Sequence, residues 1–296
     1  MSGFISMFDK QMGEFYEPFI DWSIRMGKAE STIKEYRRMF RGPLQTIAKI
    51  KINKFKMKDV SFAVEAGQQY GKYGEEKAVI TLRSLIRFIK ENDNEFPIDW
   101  RDITGRKNQR PQVQYLTAED IETLRTTIDT NTPSGLRTRA LFELLLHSGL
   151  RIGEAITLDI DDIDYNKMEM HIVNCKSKAH QTVFLTEGAI LWIKKYLESR
   201  CDKEPCLFIS GGGRRLLAVT ARASLTKYEK LSGLKKHIHW HLLRKTFVTN
   251  LLFGGVDIKT VQHLARHTSE ITTLRHYAAI NHQNERLMLT NVMAHV

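Results

Sequence analysis

Two arginines, two histidines and a tyrosine in the second half of the chain are residue types that could cleave a phosphodiester without a metal. They are Arg151, His241, Arg244, His267 and Tyr277. Two guanidinium groups can hold the two non-bridging oxygens of a phosphate, and histidines can donate to that phosphate or transfer a proton. A tyrosine hydroxyl can attack phosphorus and form a covalent intermediate. Together these residues predict a site that binds a phosphodiester and breaks it.

His241 and Arg244 form a His-x-x-Arg motif at the start of an apolar segment. Residues three apart share one face of a helix, so we expect both side chains to serve the same site. The motif recurs at His263 and Arg266. The family resemblance given below implies a further motif between this pair and Tyr277, and the second copy leaves too few residues for it.

Arg151 directly follows a predicted helix end. An apolar helix is expected over residues 136–148, and Gly149 is typical of the residue that terminates a helix. Arg151 should therefore be presented at a helix boundary. Glu154, three residues further on, either holds this arginine or a histidine in place or is an ordinary surface glutamate.

The order and spacing of these residues resemble the tyrosine recombinases, also called phage-type integrases, in their simple, Xer-like two-domain form. Four segments carry the resemblance: Ser148–Glu154 resembles the first arginine box, His241–Phe247 the second, Leu264–Ser269 the box written Leu-Gly-His-Ser, and Tyr277 the nucleophile. In the third segment Arg266 stands in the place of the glycine. We expect this arginine either to alter the packing near His267 or to add a contact to DNA.

The resemblance implies a site-specific DNA recombinase that works without metal, cofactor or ATP. Arg151 and Arg244 would clamp the scissile phosphate. His241 and His267 would donate to it or assist, and Tyr277 would attack it to form a 3′-phosphotyrosyl intermediate. The implied partners are double-stranded DNA with inverted half-sites and further copies of the chain, two on each site and four in the synapse.

A short β-hairpin is predicted over residues 167–186, because apolar and polar residues alternate there. Tyrosine recombinases carry a catalytic lysine on such a hairpin. Lys176 matches that position relative to the apolar strand and would protonate the leaving 5′ oxygen. Lys178 is the alternative, and both are also typical of solvated turn residues.

Capping signals and periodicity predict that the rest of the chain is mainly helical. Thr32 and Glu35 have the spacing of a capping box, and Asp59 is a possible helix cap. Thr117 is predicted to cap the first helix of the second part of the chain. Later helices are expected over 187–200, 218–231, 241–253, 258–265, around Tyr277 and over 282–293.

The predicted fold is mainly α with a small antiparallel β-hairpin or sheet, divided into two domains. The expected bounds are 1–105 for a helical, SAM-like core-binding domain, 106–116 for a basic linker and 117–296 for a catalytic domain. The resemblance implies that the two domains form a C-shaped clamp on DNA. Candidate DNA contacts are Lys77, Arg83, Arg87 and Lys90 on one helix and Arg106, Lys107 and Arg110 in the linker. An ordinary solvated face is the competing interpretation of the helical set.

The composition agrees with a nucleic-acid partner. Lys and Arg number 45 against 34 Asp and Glu, a net charge of +11, which favours a polyanion through counterion release. The sequence contains no apolar run of about 18 residues, so no membrane span is predicted. Its first residues do not resemble a signal peptide. Three cysteines without a Cys-x-x-Cys pair predict reduced thiols. We therefore expect a cytoplasmic, nucleoid-associated protein.

Two other classes of protein remain compatible with parts of this pattern. A type IB topoisomerase uses the same chemistry on one duplex without a partner site. A non-catalytic helical DNA-binding protein would account for the charge and the helices. It would not account for the ordered set of arginine, lysine, histidine and tyrosine.

Overall fold

The computed structural model describes residues 10–92, 96–105, 114–173 and 180–266. The chain divides into two compact units, Met1–Arg110 and Pro111–Val296. The described residues confirm the predicted fold class, because they form helices and one small antiparallel sheet. The predicted domain bounds and the clamp around DNA stay predictions.

The first unit is built from four helices connected by short 3-10 turns. They are α1 (Tyr16–Arg25), α2 (Glu30–Arg41), α3 (Met57–Ala66) and α4 (Gly74–Asn92). Aromatic side chains fill its core: the rings of Tyr16 and Phe40 stack at 4.1 Å, and Phe19 contacts the edge of Phe88 at 5.8 Å. These contacts join α1, α2 and α4.

The predicted capping box at Thr32 is wrong. Helix α2 begins at Glu30 after Ala29, so Thr32 already lies in its first turn. Glu35 pairs instead with Arg38 and Lys77. Asp59 lies in the first turn of α3, where its carboxylate accepts from the Lys56 N–H at 2.8 Å.

The second unit contains the predicted hairpin and seven helices among its described residues. They are α5 (Ala118–Thr127), α6 (Pro133–Ser148), α7 (Ile152–Thr157), β1 (Ile163–Asp164), β2 (Glu169–Val173), β3 (His180–Phe184), α8 (Glu187–Glu198), α9 (Ala218–Ser232), α10 (Trp240–Phe253) and α11 (Ile258–Ala265). β2 pairs with β3 from Glu169 opposite Phe184 to Val173 opposite His180, and β1 adds a two-residue edge. The sequence did not predict β1, because two residues show no alternation.

Helix α6 is the centre of the second unit and packs against α8 and α10. One carboxylate lies in its buried face: Glu143, 2% exposed, accepts from Arg125 at 2.8 and 2.9 Å and from Arg139 at 2.7 Å. Burial alone would raise the pKa of Glu143, but hydrogen bonds from His147 and Arg125 and the charges of both arginines outweigh it and lower the pKa to about 2. This network ties α5 to α6.

Caps fix the helix ends that flank the predicted site. The Thr117 hydroxyl accepts from the Asp120 N–H at 3.2 Å, which confirms the predicted start of α5. Gly149 ends α6 with φ +60°, as predicted. A side chain at this position would also lie 2.3 Å from the Phe247 ring, so only glycine lets α10 approach so closely.

Among the helices of the described ranges, none is long and apolar enough to span a lipid bilayer.

Candidate active site

Arg151 and Glu154 are joined at the start of α7. The Glu154 carboxylate accepts from the Arg151 backbone N–H and from its Nη1, both at 2.8 Å. The Glu154 side chain is 9% exposed, whereas that of Arg151 is 45% exposed. The buried glutamate thus orients the arginine and leaves part of its guanidinium open to solvent.

Arg244 reaches the same place from the first half of α10. Its side chain is fully buried: Nη1 donates to the Gly149 carbonyl at 2.5 Å and Nη2 donates to the Ala265 carbonyl. These carbonyls close α6 and α11, where the helix dipoles favour a cation. Arg244 therefore joins the ends of two helices that are distant in sequence.

Burial lowers the pKa of Arg244 to about 9, and the charges of Arg151 and Arg266 add to this while Glu154 opposes it. The guanidinium stays protonated at neutral pH. Burial is the larger cause of this shift, and the smaller contributions of Arg151 and Arg266 reflect repulsion among the three cations. Because a bound anion would offset this repulsion, the arrangement is suited to hold a phosphate.

His241 lies one turn before Arg244 at the start of α10. The helix is capped by His239, whose Nδ1 accepts from the Leu242 N–H at 3.0 Å. His241 keeps an exposed surface, but desolvation by neighbouring atoms and then the charges of Arg244, Lys245 and other nearby cations lower its pKa to about 4. The imidazole is therefore neutral at physiological pH, with one nitrogen able to donate and one able to accept.

Arg266 is the residue of this site whose role the sequence did not reveal. It ends α11 in the left-handed conformation, φ +53°, which costs a non-glycine residue about 1–2 kcal/mol. Its guanidinium donates to the carbonyls of Ser148 at 3.3 Å and Gly149 at 3.1 Å and lies 3.7 Å from the Glu154 carboxylate. The side chain is only 7% exposed. Arg266 thus packs against the end of α6 and beside Glu154. The packing expected near His267 concerns a residue outside the described ranges, and the expected contact to DNA stays a prediction.

Within the described residues, the site holds three arginines and one carboxylate. Arg151, Arg244 and Arg266 against Glu154 leave an excess of two positive charges, counted as three cations minus one anion. Burial raises the pKa of Glu154, but hydrogen bonds from Arg151 and the charges of Arg266 and Arg151 outweigh it and hold the pKa below its ordinary value. The carboxylate therefore stays ionised at neutral pH.

The other predicted catalytic residues lie outside the described residues. They are Lys176 with its alternative Lys178, His267 and Tyr277. The linker residues Arg106, Lys107 and Arg110 also lie outside them. β2 and β3 bracket the segment that carries both lysines, so the predicted hairpin itself is confirmed.

The four cations of α4 that were predicted to contact DNA have partners within the first unit. Lys77 pairs with Glu35 at 3.3 Å, Arg83 donates to the Ile103 carbonyl at 2.8 Å, Arg87 pairs with Glu91 at 3.0 Å and Lys90 pairs with Asp99 at 3.5 Å. Each cation thus has an acceptor that competes with a phosphate. Their binding role stays a prediction.

A basic concavity on the first unit was missed by the sequence interpretation. It is lined by Lys34, Arg37, Arg38, Arg41, Gly42 and Tyr70. Lys34 pairs with Glu30 and Arg38 with Glu35, both at 2.7 Å. Arg37 and Arg41 are exposed and have no ion pair among the described residues. The steps of three and four from Lys34 to Arg41 on α2 were the available signal.

Several known proteins are similar in sequence to this chain. Over 165 residues the chain is 36% identical to tyrosine recombinase XerC of Chlamydia pneumoniae. The matched region covers 53% of this chain and 52% of that protein. The chain thus spans about half the length of this curated relative. It is 28% identical over 276 residues to tyrosine recombinase XerD of Listeria monocytogenes, covering 88% of this chain and 93% of the relative.

The fold has counterparts among solved structures. A lambda integrase tetramer bound to a Holliday junction superposes with a TM-score of 0.75 at 15% identity, covering 90% of this chain and 80% of that one. At this identity the likeness concerns the fold. Residues 114–284, more than half of the chain, match the phage integrase family. The chain therefore belongs to the phage integrase family.

Proposed function

We propose that this protein is a site-specific DNA recombinase that cleaves and rejoins DNA through a 3′-phosphotyrosyl intermediate, without metal or ATP. The observation that supports this most directly is the convergence of Arg151 and Arg244 on Glu154 and the end of α6. Two guanidiniums held at fixed positions, with an excess of positive charge around them, fit a phosphodiester whose charge grows as it reacts.

The reaction proceeds by exchange of one phosphodiester for another. Tyr277 attacks phosphorus, a bond forms between its oxygen and phosphorus, and the bond to the 5′ oxygen breaks. Lys176 gives its proton to that oxygen. Rejoining reverses these steps with the 5′ hydroxyl of a partner strand, so the bond energy is conserved and no ATP is consumed.

The described residues supply the electrostatic part of this reaction. Arg151 and Arg244 bind the non-bridging oxygens and stabilise the pentavalent transition state. His241, which is neutral, donates to one of these oxygens or accepts the proton of the tyrosine. His267 assists from the box that follows α11.

DNA with inverted half-sites is the proposed substrate. The relatives are named tyrosine recombinases, and the lambda integrase structure holds a tetramer on a Holliday junction. By analogy, two copies of this chain bind each site and two such dimers form the synapse. The protein would then act in the cytoplasm, in association with the nucleoid.

A suicide substrate tests the proposal. A duplex nicked near the cleavage position loses a short fragment after attack, so the protein remains attached to the DNA. Covalent attachment excludes the non-catalytic binding protein. Strand exchange between two sites then distinguishes a recombinase from a topoisomerase, and absence of both products contradicts the proposed function.

Lys176 is expected to be the general acid. A substrate with sulfur in place of the 5′-bridging oxygen has a leaving group that barely needs a proton. Lys176→Ala should therefore cleave normal DNA slowly and be substantially rescued on the sulfur-substituted strand. Arg151→Ala should be rescued much less, since it stabilises charge.

Lys178→Ala is the matched control and should resemble the wild type on both substrates. Single-turnover cleavage rates on the two strands provide the measurement. Selective rescue of Lys178→Ala instead would place the general acid two residues further along the hairpin.

The basic concavity on α2 is proposed to bind the DNA backbone. Replacing both Arg37 and Arg41 by alanine should weaken binding and reduce the slope of log affinity against log salt by about 2, because each phosphate contact contributes about 0.9. Fluorescence anisotropy over a series of salt concentrations measures this slope.

The double variant Arg87→Ala with Lys90→Ala is the control, because both of its cations already have acidic partners in the first unit. A smaller change of slope is expected for this pair. If it loses more affinity than the Arg37 and Arg41 variant, then α4 rather than α2 faces the DNA.

A further inference from the structure

Arg266 connects three parts of the candidate active site that are distant in sequence. It leaves the end of α11, donates to the two carbonyls that close α6, and lies 3.7 Å from the Glu154 carboxylate at the start of α7. The same Gly149 carbonyl accepts from Arg244, and the same carboxylate holds Arg151. Arg266 therefore shares one partner with each of the two arginines proposed to bind phosphate.

We infer that Arg266 is a positioning residue, which locks the end of α6 and Glu154 together and so fixes the directions of Arg151 and Arg244. The inference rests on the proposed function, since it concerns the same site. In this inference Arg266 acts through these partners and makes no contact of its own with the scissile phosphate; its side chain is 7% exposed and donates to carbonyl groups.

The backbone conformation of Arg266 is unfavourable for an arginine, which indicates that the contacts of its side chain matter. A residue with φ +53° at the end of a helix is accommodated best by glycine, which has no Cβ to clash. An arginine here is strained, and its cation is buried beside Arg151 and Arg244. Both effects oppose its presence, and the contacts to Ser148 and Gly149 offset them.

A bidentate side chain is required for this task. The guanidinium of Arg266 donates through Nη1 to Ser148 at 3.3 Å and to Leu264 of its own helix at 3.0 Å, and through Nη2 to Gly149, with the carboxylate close to Nη2. Lysine keeps the charge but offers one ammonium, which cannot hold both carbonyls and Glu154 in a fixed geometry. Glycine removes all of these contacts and relieves the backbone strain.

The experiment compares the full-length variants Arg266→Gly and Arg266→Lys in single-turnover adduct formation, DNA affinity and thermal unfolding. Because glycine relieves the backbone strain, Arg266→Gly should unfold at a temperature no lower than that of the wild type. It should bind DNA with similar affinity. Its rate of adduct formation should fall by about 10- to 100-fold, as expected when the support of a catalytic group is lost. Arg266→Lys should recover part of the rate.

Arg200 provides a matched control for the loss of a buried arginine. Its side chain is 6% exposed, donates to the carbonyls of Cys206 and Leu207, and pairs with Asp202, and none of these partners belongs to the candidate active site. Arg200→Gly should lower the unfolding temperature and leave the cleavage rate of the folded protein unchanged. This contrast separates positioning from general stability.

A double-mutant cycle with Glu154→Gln tests the proposed connection. If Arg266 acts through Glu154, its replacement should slow cleavage much less in the Glu154→Gln background than in the wild type. The same cycle measured by thermal unfolding reports the coupling without any cleavage.

The outcomes are distinguishable. A wild-type rate for Arg266→Gly, or strictly additive effects with Glu154→Gln, overturns the positioning role. No adduct with the wild-type protein overturns the proposed function instead, and the unfolding cycle then decides alone whether Arg266 and Glu154 are coupled.

Discussion

Tyr277→Phe is expected to bind its DNA site like the wild type and to form no covalent protein–DNA adduct. Phenylalanine keeps the ring but lacks the oxygen that would attack phosphorus, so no step of cleavage can begin. Adduct formation on the suicide substrate, measured by denaturing gel beside a binding titration, checks both halves of this expectation.

An adduct that persists in Tyr277→Phe would assign the nucleophile to another residue. Tyr228 is another tyrosine of the second unit, but in α9 it is only 1% exposed. Tyr228→Phe is therefore a suitable control and should leave adduct formation intact.

Arg151→Ala and Arg244→Ala should each lower single-turnover cleavage by about 10²–10³-fold, the usual effect of removing one donor that stabilises transition-state charge. DNA affinity should change much less, because the duplex is held by many other phosphate contacts. The comparison requires separate measurement of cleavage rate and affinity. A large loss of affinity with unchanged cleavage of the bound DNA would show that these arginines only anchor the substrate.

The two variants should differ in stability. Arg151 is 45% exposed, and its removal leaves a folded helix α7. Arg244 is 2% exposed, and alanine there leaves the Ala265 carbonyl without its donor and opens a cavity, at a cost of about 2–4 kcal/mol. Arg244→Lys keeps the charge with a smaller cavity, so it should be more stable than Arg244→Ala while remaining slow.

Local patterns in the sequence predicted much of the fold and the positions of three candidate site residues on it. The apolar helix that ends at Gly149 presents Arg151, and the three-residue step from His241 to Arg244 lies on α10 as expected. The alternation on either side of residues 174–179 predicted β2 and β3. These features repeat over a few residues, so their geometry follows from helix and strand periods.

The same patterns misplaced one helix start and did not reveal the ion pairs of two cations. Thr32 and Glu35 have capping-box spacing, but the spacing does not reveal that α2 has already begun at Glu30. Arg87 and Lys90 follow a charged stripe, yet Glu91 and Asp99 neutralise them. For these two cations, acidic side chains that the stripe does not include supply the partners within the first unit.

Only the tertiary structure decided how the arginines of the site are held. Arg266 meets the Ser148 carbonyl across 118 positions of sequence, and Arg244 meets Gly149 across 95. No periodic pattern connects residues so far apart, because their contact depends on how α6, α10 and α11 pack. The sequence thus supplied the chemical groups, and the packing of helix ends around Glu154 gave them their common orientation and their excess positive charge.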